Sequence, residues 1–73
     1  MQTIKEVLRS LIGKTILVYG GDGNISIMDP DEEFPDDIYE VMAVGEDLFI
    51  ARRTNDDTII YFVIDKIVLF DIK

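Results

Sequence analysis

The chain has 73 residues, 48% of them hydrophobic, with 15 acids against 7 lysines and arginines, for a formal net charge of −8. It has no cysteine and no histidine, which removes disulfides, thiolate metal sites, the commonest nitrogen ligand and the usual nucleophile–base pairs of catalysis. A single domain spanning 1–73 with no catalytic residue, no metal and no cofactor is the expectation, and its negative charge disfavours phosphate backbones as partners.

The first element is a helix over about 3–12. Ile4, Val7, Leu8, Leu11 and Ile12 form one apolar stripe, and Thr3 and Glu6 have capping-box spacing. Gly13 stands where a left-handed terminating residue belongs. The start lacks a continuous apolar leader core, and no run reaches membrane-spanning length, so a cytoplasmic protein with no membrane contact is expected.

Everything after Gly13 reads as strand and turn. Strands are expected at about 14–20, 24–28 with 38–44, 48–53, 58–64 and 67–72. Gly20-Gly21-Asp22-Gly23 is a hairpin turn. It is not a phosphate cradle, because a strand and not a helix follows it. The stretch 29–37 is an acidic loop containing two prolines. Asp29, Asp31 and Glu33 have the one-three-five spacing of a calcium loop, but Phe34 occupies the place where that loop needs glycine. A solvated loop, pinned to the sheet by Phe34, is the preferred reading. With no helix between any two strands, a βαβ sheet is excluded. The fold class is mainly β: a short N-terminal α-helix and a five-stranded, strongly bent antiparallel small barrel.

The final run, TIIYFVIDKIVLFDIK, holds more apolar surface than one small core takes. Asp65-Lys66 marks a bend, and the strand before it is apolar on both faces. The surplus is assigned to a subunit interface through Ile60, Phe62, Ile64, Val68 and Phe70. Lys5, Arg9, Arg52 and Arg53 are the candidates for a nucleic-acid contact. Arg52 and Arg53 leave their strand on opposite sides, so at most one of them joins any given patch.

The order of these elements resembles the Sm-like fold, which includes Hfq and the spliceosomal Sm proteins. VMAVGEDLFIARR resembles the family's passage from strand 2 to strand 3, and IIYFVIDKIVLFDI resembles strand 4, the tight bend and strand 5. Asn24–Met28 and Ile38–Val44 resemble the two halves of the family's long bent second strand. The RNA-contacting motif residues do not carry over: Gly45-Glu46-Asp47 occupies the first motif's turn, and Phe62-Val63-Ile64 offers no cation in the second. The resemblance implies a non-enzymatic homo-oligomeric ring of five to seven subunits, acting as a scaffold or adaptor with RNA binding lost or altered. Two alternatives remain. One is RNA binding through a local basic patch, and the other is an acidic decoy that binds a basic protein.

Overall fold

A computed structural model describes residues 2–73. Helix α1 (Ile4–Ser10) is followed by strands β1 (Thr15–Gly21), β2 (Asn24–Met28), β3 (Ile38–Val44), β4 (Leu48–Arg53), β5 (Ile59–Val63) and β6 (Ile67–Asp71). Short 3-10 turns at Pro35–Asp37 and Ile64–Lys66 precede β3 and β6. All strands belong to one sheet, in the order β5-β4-β3-β1-β2-β6.

Local chemistry explains the punctuation. The Thr3 hydroxyl accepts from the Glu6 N–H at 3.1 Å and lies 3.2 Å from the Glu6 carboxylate, to which it donates. Only half of the capping box forms, because the Glu6 carboxylate takes the hydroxyl and not the Thr3 amide. Gly13 adopts φ 86° and donates its N–H to the Val41 carbonyl at 2.8 Å, which ends the helix and turns the chain into the sheet. At the first hairpin, Asp22 and Gly23 both have positive φ, the backbone of a two-residue turn whose twist matches its strands.

The core lies on one face of the curved sheet. Leu8 from the helix joins Ile16 and Val18 of β1, Ile27 of β2, Tyr39 and Val41 of β3, and Phe49 and Ala51 of β4. Every sheet position in that set obeys the two-residue alternation of a strand. Two bulges then break the alternation. Met42 has no partner between the Val41–Ala51 and Ala43–Ile50 pairs, and Val68 has none between Ile25–Ile67 and Ser26–Leu69. Each bulge leaves an apolar side chain outside and turns the following strand residues, Val44 and Phe70, back toward the core.

Five expectations change. The sheet has six strands where five were expected, and its two ends, β5 and β6, do not meet to close a barrel. It is mixed: β6 runs parallel to β2, because the whole β3–β5 meander serves as the crossover. Asn24–Met28 and Ile38–Val44 are not halves of one strand, since they flank β1 on opposite sides. The element ends also move by one or two residues: the helix runs 4–10 and not 3–12, β1 is 15–21, β5 is 59–63 and β6 is 67–71.

Candidate interaction surface

Among the described residues β5 is paired only to β4, which leaves one of its backbone edges without a partner strand there. Its five residues, IIYFV, are all apolar, and alternation divides them between two faces. Ile60 and Phe62 point inward. Phe62 stacks on Phe49 at 5.1 Å and meets Tyr39 edge-on at 5.2 Å. Ile59, Tyr61 and Val63 point outward and are 49%, 63% and 47% exposed. Register extends this outer row onto β4, where Leu48 lies opposite Val63, Ile50 opposite Tyr61, and Arg52 opposite Ile59. The result is an apolar surface one face wide, ended by a cation.

The other edge, β6, is paired among the described residues only to β2. It exposes Val68 and Leu69 side by side, an arrangement that the bulge at Val68 permits. Of the five residues assigned to an interface from sequence, Ile60, Phe62, Ile64 and Phe70 pack against the core, and Val68 stands outside. The exposed apolar residues of the C-terminal run are instead Ile59, Tyr61, Val63, Val68 and Leu69. Hydropathy gives no means of finding them, because both faces of β5 are equally apolar.

The four cations considered for nucleic acid sit in three separate places, and each faces a carboxylate. Lys5 is 3.0 Å and Arg9 3.9 Å from Glu46, in the β3–β4 turn. The hydrogen bond from Lys5 and the charges of Lys5 and Arg9 hold the Glu46 carboxyl below its ordinary value. Arg52 bridges Glu40 at 2.7 Å and Asp57 at 2.5 Å, and these hydrogen bonds push its own pKa up. Arg53 leaves on the opposite side. Its guanidinium lies 5.6 Å from the centre of the Tyr39 ring, bonds the Tyr39 hydroxyl and pairs with Asp56 at 3.0 Å. The Tyr39 hydroxyl is the largest cause of its raised pKa, with Asp56 next. Such pairs spend the cations locally, so no open basic patch results from these four residues.

In the acidic loop, Asp31 accepts the Glu33 N–H at 3.0 Å, Asp29 accepts the Lys73 N–H at 3.2 Å, and Asp36 accepts from the Asn55 amide. The carboxylates fan out to separate partners. Among the described residues no group of three or more acids converges on a common point. Among the same residues, no helix is long and apolar enough to cross a membrane. No protein-family model matches the chain, and no curated protein or solved structure matches it either.

Proposed function

We propose that the chain is a non-enzymatic scaffold or adaptor that assembles with copies of itself, edge to edge, in the manner of an Sm-like ring. The observation that carries this reading is β5, a free edge strand with no charge and no proline and with apolar side chains on both faces. Soluble proteins commonly blunt such edges with charges, prolines or a covering segment, because an open ladder pairs with any strand that meets it. Here a second edge, β6, is also free and carries Val68 and Leu69. The two are joined by the three-residue bend Ile64–Lys66, so each copy presents both halves of a head-to-tail contact.

Covering Ile59, Tyr61 and Val63 is worth about 1 kcal/mol each at their present exposure. The −8 charge on each copy opposes association, so added salt strengthens it. Light scattering on the purified protein at micromolar concentration tests the proposal. Five to seven copies is the expected mass, and a monomer at both low and high salt overturns it.

A further inference from the structure

We propose that the groove between the first hairpin and the acidic loop is a docking site for an arginine side chain of another protein's basic segment. The groove lies on the outer face of the sheet, opposite the core. Leu17 of β1 and Met28 of β2 face each other across the ladder and form its base. Leu17 is 5% exposed and stands outside the core cluster. Tyr19 and Phe34 supply two rings, 60% and 50% exposed, and Asp29 and Asp31 supply carboxylates at the rim.

Size, lining and charge point to one occupant. The volume is about 190 Å³, below the roughly 300–1,000 Å³ of small-molecule sites, so it takes a single long side chain. The lining pairs aliphatic and aromatic surface with negative charge. An arginine satisfies both: its methylene stem packs on Leu17 and Met28, and its planar head stacks on a ring while bonding a carboxylate. The chain's own arginines are engaged elsewhere, Arg9 with Glu46, Arg52 with Glu40 and Asp57, and Arg53 with Asp56. We assign the occupant to a different protein, because the −8 charge favours the approach of a basic one. Self-assembly through β5 is not required for this site.

The test uses a fluorescein-labelled short peptide of alternating arginine and glycine, read by anisotropy at low and moderate salt. Matched peptides carry citrulline or lysine in place of arginine. Binding of the arginine peptide is expected, with the citrulline peptide silent and the lysine peptide weaker. Phe34→Ala and Tyr19→Ala leave the charge unchanged, and each is expected to weaken binding about five- to tenfold. Asp29→Asn and Asp31→Asn keep their loop acceptors and are expected to weaken it by a similar factor, whereas Asp65→Asn, outside the groove, is expected to have little effect. Circular dichroism establishes that each variant is folded. The site is overturned if no peptide binds, if citrulline or lysine serves as well as arginine, or if the ring variants bind like the parent. It is equally overturned if Asp65→Asn weakens binding as much as the rim variants, since general charge then explains the effect.

Discussion

Phe62 stacks on Phe49 with ring centres 5.1 Å apart and planes 24° from parallel, which ties the edge strand β5 to the fully buried centre of the core. Its neighbour Tyr61, one residue earlier, points the opposite way and is 63% exposed. Two adjacent aromatics of one strand thus carry separate duties, one in folding and one at the surface.

Phe62→Ala is accordingly expected to destabilise the fold by about 3 kcal/mol, the low end for truncating a core aromatic, because Phe62 is only half-buried. At concentrations low enough for the protein to be monomeric, Tyr61→Ala is expected to leave stability nearly unchanged. Urea unfolding of the two variants under identical conditions separates them, and equal losses would contradict the assignment of faces.

The same alternation directs the association test. Tyr61→Lys places a charge in the middle of the outer row, between Ile59 and Val63 on β5 and opposite Ile50 on β4. The expected outcome is a shift of sedimentation toward the monomer, with the circular dichroism spectrum of the folded protein retained. Retention of the parent mass would move the interface away from β5.

Nucleic-acid binding is expected to be absent or weak. Lys5, Arg9, Arg52 and Arg53 each face a carboxylate, and the overall charge repels phosphate. Titration of uridine-rich and adenine-rich RNA at low salt measures this directly. Tight, salt-sensitive binding would restore the RNA reading and locate it elsewhere on the surface.

Acid is expected to weaken the fold through two surface carboxylates. The Lys5 hydrogen bond, with the charges of Lys5 and Arg9, lowers the Glu46 pKa. Hydrogen bonds from Thr58, then Arg53, lower that of Asp56. A folded-state pKa below the unfolded value gives stability that is fully present above the ordinary carboxylate range and lost as pH falls through the depressed values. Both groups are solvent-exposed, so the effect is small. Urea midpoints followed from neutral pH to about pH 3 should show the decline, and Glu46→Gln should remove part of its slope.

Gly13→Ala isolates a backbone effect. Nothing lies within 4 Å of the position its Cβ takes, so no clash is created. The cost comes from φ 86° alone, and about 1–2 kcal/mol is expected. A neutral result by thermal unfolding would mean that the helix end relaxes to another conformation.

The sequence by itself determined the local elements. The stripe through Leu8 and Leu11, the positive φ at Gly13, the Asp22-Gly23 hairpin and the strand at 48–53 follow from periodicity, capping and turn chemistry, all of which act within a few residues. Only the tertiary structure decided which strands are neighbours. Asn24–Met28 lies on the far side of β1 and receives β6 in parallel, a pairing between segments about forty residues apart that no local pattern encodes. Only the tertiary structure decided, too, which face of IIYFV is inside. Alternation separates Ile60 and Phe62 from Ile59, Tyr61 and Val63, but both sets are apolar, and a slip of one residue would exchange them. The choice follows from the rings of Phe49 and Tyr39, which Phe62 packs against and which share one sheet face only once β3 and β4 have paired.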